Sequence, residues 1–140
     1  MNQGKYVFSQ IMEFVSHKAF NACVDRYKGD FKSKQFSCWK QFLCMAFGQL
    51  THRESLSDTI VCLRANAGKL YHLGIGQAIT KSTLSNANAG RDYRIFFEIA
   101  MILIEEAKLL YLQENDLEVD LKDNVFAIDA TVIDVCLSAF

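Results

Sequence analysis

The chain contains no proline and only seven glycines. Because about 5% of the residues in an average protein are proline, this absence favours a fold made mostly of helices. The five cysteines include no Cys-x-x-Cys pair, and the three histidines (His17, His52 and His72) lie in separate segments without the spacing of zinc ligands. We therefore expect free thiols, a reducing cytoplasm and no zinc module.

Long hydrophobic runs are also missing. The most apolar segment, residues 95–104, contains Glu98 and is far shorter than the roughly 20 residues that a membrane-spanning helix needs. Near the N-terminus, Lys5, Glu13 and Lys18 leave too short an apolar stretch for a signal peptide. The sequence thus predicts a soluble cytoplasmic protein with no membrane partner.

The chain does contain enough apolar material to fold, because 51% of its 140 residues are hydrophobic. The net charge of −1 conceals a division of the chain into two parts. Up to Arg94 there are thirteen Lys and Arg against six Asp and Glu, whereas the remainder has two against ten. Such asymmetry suggests a basic, nucleic-acid-facing first part and an acidic second part.

Apolar residues repeat at helical spacing until about residue 112. Two short helices are predicted within residues 6–15 and 20–27, and Gly29 is the expected stop of the second. Further helices should begin after Ser37, Ser55, Thr80 and Asp92, each of which can cap a helix. The helix after Ser37 is apolar nearly all round, so we expect it in the centre of the core.

After residue 112 the period changes to that of strands, first over residues 117–122 and again from Val125. The predicted fold is therefore mainly α. It consists of a helical N-terminal domain over residues 1–112 and, over residues 113–140, the first strands of a mixed α/β domain.

The predicted helix after Thr80 concentrates hydroxyl, amide and cationic side chains. The candidate DNA-binding residues are Lys81, Ser82, Thr83, Ser85, Asn86, Asn88, Arg91 and Arg94. Cations and hydroxyls bind phosphates, and Asn can pair with adenine in the major groove. The helix after Ser55 could support this one as in a helix-turn-helix, although the connection is longer than the usual turn. A well-capped, solvated surface helix explains the same pattern, and spacing alone does not decide between the two.

The second candidate is Asp129, a single carboxylate within an apolar, β-branched run. No basic residue follows Lys122 to pair with it, and a buried carboxylate needs a cation or a metal. Asp134 lies five positions on, which would place it on the opposite face of a regular strand. The apolar run continues to Phe140, and we expect the chain to be cut off inside a catalytic domain.

Four stretches carry a resemblance to a known family: residues 36–42, 48–58, 81–92 and 126–140. In these the chain resembles the N-terminal part of a DDE-type insertion-sequence transposase of the insertion-sequence-four family, whose catalytic domain has an RNase H-like fold. Family members place a Ser-x-Leu-x-x-Ala-Asn-x-x-Arg helix before that domain, matched here from Ser82 to Arg91. They open the domain with an Asp-Ser-Thr strand, for which this chain has Asp129, Ala130 and Thr131.

The resemblance implies that Asp129 is the first acid of a catalytic triad and a ligand of Mg²⁺. It also implies cut-and-paste transposition of DNA, with double-stranded element ends as the partner, phosphodiester hydrolysis and then strand transfer. The other two acids of the triad would lie beyond residue 140. Because a two-metal site needs several carboxylates, we expect this chain alone not to cleave DNA.

Two other functions fit the sequence. The chain could be a non-enzymatic DNA-binding regulator or an inhibitor of the full-length transposase, or a small helical interaction protein with no DNA role. Salt would separate the last from the others, since binding through phosphates weakens steeply as salt rises. Whether the chain forms a homo-oligomer is left open by the sequence.

Overall fold

The computed structural model describes residues 6–31, 33–71, 74–75 and 79–113, with side chains described up to residue 109. The helices in this part of the chain are α1 (Val7–Met12), α2 (His17–Arg26), α3 (Cys38–Leu50), α4 (Leu56–Ala65), α5 (Ala67–Leu70), α6 (Lys81–Gly90) and α7 (Arg94–Gln113). No strand occurs among these residues, which confirms the mainly α prediction for them. The strands predicted from residue 117 onward lie outside the described residues, as does nearly all of the predicted second domain.

Helices α2, α3, α4 and α6 begin at hydroxyl caps. The side-chain oxygens of Ser16, Ser37, Ser55 and Thr80 each accept the backbone N–H of the third residue along, at 3.1 to 3.3 Å. The caps predicted at Ser37, Ser55 and Thr80 are therefore confirmed. Asp92 acts similarly before α7, where its carboxylate accepts the backbone N–H of Arg94 at 3.0 Å.

Helix α2 ends differently from the prediction. Its last helical residue is Arg26, and Lys28 adopts the left-handed conformation with φ of 52°. The backbone N–H groups of Lys28 and Gly29 then donate to Asp25 and Val24, the pattern of a Schellman motif. Gly29 is needed for another reason, because a Cβ there would collide with Ile95 and would lie 2.7 Å from the Sγ of Cys38.

Helix α3 lies between two buried clusters, as its nearly uniform apolar character predicts. The first cluster joins α3 to α4, α5 and α6 and contains Leu43, Cys44, Phe47, Ile60, Leu63, Leu70, Ile75, Ile79 and Leu84. The second joins α3 to α2 and α7 and contains Phe20, Cys23, Val24, Cys38, Ile95 and Ile99. Trp39 and Phe42 pack against both clusters, so one helix connects the two halves of the core.

Two contacts fix the helices around α3. Gly48 of α3 lies directly against Thr59 of α4, where even a Cβ would be only 2.9 Å from the threonine hydroxyl. Helix α7 packs on α2, and the carboxylate of Glu98 accepts hydrogen bonds from the hydroxyl of Tyr27 and, at 2.5 Å, from the guanidinium of Arg26. Within the described residues, no helix is both long enough and apolar enough to cross a bilayer.

Candidate nucleic-acid interface

Helix α6 carries most of the predicted DNA-binding residues, and its two faces differ. Leu84 is completely buried in the first core cluster and Ala87 is half-buried, which anchors one face of the helix. Lys81, Ser82, Ser85 and Asn86 are exposed and lie on the other face. We call these four residues the outer face of α6. Lys81 and Ser85, Ser82 and Ser85, and Ser82 and Asn86 are three or four positions apart, which is the spacing of neighbours on a helical surface.

The first turn of α6 is rich in ordered hydroxyls. The side-chain oxygen of Thr80 lies 2.9 Å from that of Ser82 and 2.8 Å from that of Thr83, and it also accepts the backbone N–H of Thr83. Thr83 is exposed but its side chain is turned toward a small cleft that Lys40 and Gln35 also line. The predicted grouping of hydroxyls and a lysine at this helix start is therefore present.

Helix α4 supports α6, as the comparison with a helix-turn-helix predicts. Ile60 and Leu63 of α4 share the first core cluster with Leu84 of α6. The segment between the two helices is long, and its Ile75 and Ile79 are buried in the same cluster. Ile75 and Ile79 of this connection thus belong to the core, whereas a standard helix-turn-helix has only a short turn between its helices.

Arg91 follows α6 and points inward, with only 10% of its side chain exposed. Its guanidinium donates to the backbone carbonyl oxygens of Gly29, Phe36 and Ser37, to Ser33 Oγ and to the carboxylate of Asp30. Burial of a guanidinium is tolerated only when its donors are satisfied in this way. Arg91 therefore fixes the loop between α2 and α3, and it is not positioned to bind DNA phosphate.

Gln41 extends this network to α6. It is 3% exposed, it accepts a hydrogen bond of 2.8 Å from Arg91 through Oε1, and it donates one of 2.6 Å to Asn88 Oδ1 through Nε2. The amide of Asn88 also lies 3.4 Å from the sulfur of Met45. Asn88 is exposed, but it directs its amide toward α3 and away from the outer face of α6.

Arg94 is the last of the predicted residues. Its guanidinium forms a bidentate pair with the carboxylate of Asp92, at 3.0 and 2.6 Å, and lies 4.7 Å above the ring of Tyr27. The hydrogen bonds from Arg94 lower the pKa of Asp92 below its ordinary value. Arg94 remains 56% exposed but its charge is compensated locally. The structure thus separates Asn88, Arg91 and Arg94 from the outer face.

Gln41 and Asp30 were not singled out by the sequence, although each has a central place in this network. A signal for Gln41 did exist, because it is a polar residue on a helix that is apolar nearly all round, and such a residue needs a buried partner. Nothing local pointed to Asp30, whose carboxylate accepts the backbone N–H of Cys38 at 2.7 Å across the α2–α3 loop.

The predicted catalytic and metal-binding residue Asp129 lies outside the described residues, as do Thr131 and Asp134. Among the residues that the structure does describe, no three His, Cys, Asp or Glu side chains are grouped so that they could hold a metal ion. The predicted Mg²⁺ site therefore stays a prediction from the sequence.

The predicted free thiols are confirmed for the described cysteines. Cys23, Cys38 and Cys44 are buried and Cys62 is half-buried, and all four are unpaired thiols. Burial raises the pKa of both Cys38 and Cys44 to about 12, which makes these side chains inert parts of the core.

Comparison with known proteins identifies one matching family. No curated protein and no solved structure matches the chain significantly. A family model described as a domain of unknown function (DUF4372) matches residues 3–76, which include α1 to α5 and end before α6. Since this match covers more than half of the chain, the protein belongs to the DUF4372 family, a domain found in transposase-like proteins.

Proposed function

We propose that the helical domain binds double-stranded DNA through the outer face of α6. The observation that carries this proposal is the exposure of Lys81, Ser82, Ser85 and Asn86 side by side on one helix. Lysine and serine bind backbone phosphates, and the amide of asparagine can form two hydrogen bonds with adenine. The outer face therefore combines a lysine and two serines that position the protein on the DNA backbone with an asparagine that can distinguish bases.

The dimensions of α6 suit this role. A helix of ten residues is about 15 Å long, and the major groove of DNA is about 12 Å wide. Asn86, in the middle of the helix, can therefore reach base edges while the ends of the helix reach the flanking backbone. The dipole of α6 adds partial positive charge at the end that carries Lys81.

The setting of α6 also supports the proposal. Contacts of Leu84 with α4 and the Arg91 network hold the helix in place, so its backbone needs little ordering on binding. The excess of seven positive charges up to Arg94 favours approach to a polyanion.

We further propose that this binding serves a transposase, in which the domain would hold the end of the mobile element. This step depends on the sequence resemblance and on the occurrence of the family in transposase-like proteins. Asp129 would then be one carboxylate ligand of Mg²⁺, with further acids needed to complete the site. When bound, Mg²⁺ would supply activation of the attacking oxygen.

The test measures DNA affinity by fluorescence anisotropy on duplexes of about 30 base pairs, both an arbitrary duplex and one selected from a random library. The wild-type protein should bind both, and the logarithm of its affinity should fall linearly with the logarithm of salt concentration. Lys81→Ala should weaken binding to both duplexes and reduce the salt slope by about 1. Asn86→Ala should weaken binding mainly to the selected duplex, by roughly fivefold or more.

Lys18→Ala is the matched control, because Lys18 is an exposed lysine on α2, which does not carry the outer face. It should leave affinity and salt slope near the wild-type values. Absence of binding by the wild-type protein at low salt, or equal losses in Lys18→Ala and Lys81→Ala, would contradict the proposal.

A further inference from the structure

An open recess of ≈ 430 Å³ lies between the α2–α3 loop and the C-terminal end of α6. Lys28, Gly29, Phe31 and Ser33 line it from the loop, and Gly90 lines it from α6. The recess is therefore continuous with the end of the helix whose outer face we propose to bind DNA.

The side chains of the loop have the composition of a nucleic-acid surface. Phe31 is 72% exposed, and the neighbouring Lys28 and Lys34 are exposed as well. The acid of the loop, Asp30, accepts from Arg91, and Asp92, which lines the recess, is paired with Arg94. An exposed aromatic ring flanked by lysines at the edge of a groove-binding helix is suited to DNA.

Lys28 supplies an independent observation. It occupies the left-handed position of a Schellman motif, where glycine is the residue of lowest conformational cost. Lysine carries a conformational cost at this position, as His52 does at another left-handed position, and the exposed side chain of Lys28 borders the recess.

The loop also has a fixed position relative to α6. Arg91, the residue directly after α6, donates 3.3 Å hydrogen bonds to the carbonyl oxygens of Gly29 and Ser37 and thereby ties the loop to the end of the helix. Because α6 is about 15 Å long and the major groove about 12 Å wide, DNA that holds α6 in its major groove would have its flanking backbone near the C-terminal end of the helix, where this loop is attached.

We infer that the recess is a second DNA-contacting surface, at which Lys28 and Lys34 bind backbone phosphates and Phe31 enters the adjoining minor groove as an apolar wedge. This inference rests on the proposed binding of DNA by α6. Wedges of this kind partly unstack a base step and bend the duplex toward the major groove.

The experiment uses the full chain and a duplex of about 30 base pairs that carries a fluorescent donor and acceptor at its ends. Affinity and end-to-end distance are measured together. The wild-type protein should shorten the end-to-end distance. Phe31→Ala should lower affinity roughly tenfold and abolish the shortening, whereas Phe31→Leu should keep the shortening because leucine also acts as a wedge. Phe14→Ala is the matched control, since Phe14 is an exposed phenylalanine (75%) outside the recess.

Lys28→Gly gives a second, independent measurement. It should raise the denaturant concentration at the midpoint of unfolding and yet weaken DNA binding, with a salt slope lower by about 1. The control is His52→Gly, because His52 is also left-handed (φ 53°) but lies beyond the opposite end of α3. It should raise the midpoint without changing affinity.

The outcomes separate this inference from the proposed function. If Lys81→Ala weakens binding while Phe31→Ala and Lys28→Gly bind and bend DNA as the wild-type protein does, the second surface is wrong and the proposed function stands. If the wild-type protein does not bind DNA, both are wrong.

Discussion

The guanidinium of Arg91 donates a 2.8 Å hydrogen bond to the side-chain carbonyl of Gln41, a residue fifty positions earlier in the chain. The same Gln41 amide donates to Asn88 on α6. Arg91 thus supplies the donor for Gln41 Oε1, a group on a side chain that is only 3% exposed. Removing Arg91 leaves this buried oxygen without that donor, whereas removing Gln41 leaves Arg91 its acceptors in the α2–α3 loop.

Arg91→Ala should lower the free energy of unfolding by about 3 kcal/mol, because it uncovers several buried acceptors and leaves Asp30 without its guanidinium. Arg94→Ala is the control, since Arg94 is 56% exposed and its pair with Asp92 is partly solvated. The control should change the free energy by less than about 1 kcal/mol. Urea unfolding compares the two, and equal losses would contradict the structural role of Arg91.

Gly48→Ala should destabilise the domain by about 1 to 2 kcal/mol. Alanine normally favours a helix by about 1 kcal/mol over glycine, but here its Cβ would lie 2.9 Å from Thr59 Oγ1. Thr59 cannot easily turn away, because it is 4% exposed and its hydroxyl donates to the Ser55 carbonyl at 2.9 Å. The close approach of α3 and α4 therefore outweighs helix propensity.

Gly68→Ala provides the comparison for this prediction. Apart from the adjacent residues and the backbone of its own helix, no described atom lies within 4 Å of the position its Cβ would take, so alanine there should raise the free energy of unfolding by up to about 1 kcal/mol. Thermal or urea unfolding of Gly48→Ala and Gly68→Ala measures the two changes in the free energy of unfolding. A stabilising Gly48→Ala would show that α3 and α4 are not in close contact.

The stability of the domain should depend on Glu98 at acid pH. Hydrogen bonds from Tyr27 and Arg26 hold the pKa of Glu98 below its ordinary value of 4.5. Its contribution to stability is therefore complete above pH 4.5 and is lost as the pH falls through the lower pKa of the folded state. Urea unfolding measured from neutral to acid pH should show that the free energy of unfolding decreases less for Glu98→Gln than for the wild-type protein.

Tyr27→Phe refines this measurement, because it removes one donor to Glu98 and leaves Arg26 in place. Its decrease in the free energy of unfolding at acid pH should lie between those of the wild-type protein and Glu98→Gln. The bond to Glu98 also raises the pKa of Tyr27 above 10, so the wild-type protein should lose stability again as pH rises past 10. An identical pH profile in all three proteins would contradict the hydrogen bonds of Glu98 with Arg26 and Tyr27.

The buried thiols should resist alkylation in the folded protein. Since the pKa of Cys38 and of Cys44 is about 12, only roughly one in ten thousand of these thiols is ionised near pH 8. Half-buried Cys62 should react with iodoacetamide first, and all three should react at similar rates once the chain is unfolded. Peptide mass spectrometry measures the labelling of each site, and equal labelling of Cys44 and Cys62 in the folded protein would contradict the core described above.

Local chemistry explains why the helices could be predicted. Caps such as Ser37, Ser55 and Thr80 act on an N–H group three residues away, so a short window of sequence contains all the necessary information. The central place of α3 could be predicted because its apolar residues cover nearly its whole surface.

The roles of Arg91 and Lys28 could not be predicted in this way. The acceptors of Arg91 lie between 50 and 62 residues earlier, and an arginine after a polar helix is otherwise expected at the surface. The end of α2 was expected at Gly29 because glycine usually takes the left-handed position, but that position falls on Lys28. Glycine is required at position 29 because Cys38 and Ile95 leave no space for a Cβ there. Both residues are distant in sequence, so no local pattern reveals this contact.

The place of α3 between two clusters has a consequence for cooperativity. Trp39 and Phe42 contribute to both halves of the core, so neither half can open without removing packing from the other. Partial unfolding of one half is thereby disfavoured, and the backbone amides of α3 should exchange with solvent only when the whole described domain unfolds. Helix α3, in which Lys40 is the single charged residue, thus couples the unfolding of the elements on both of its sides.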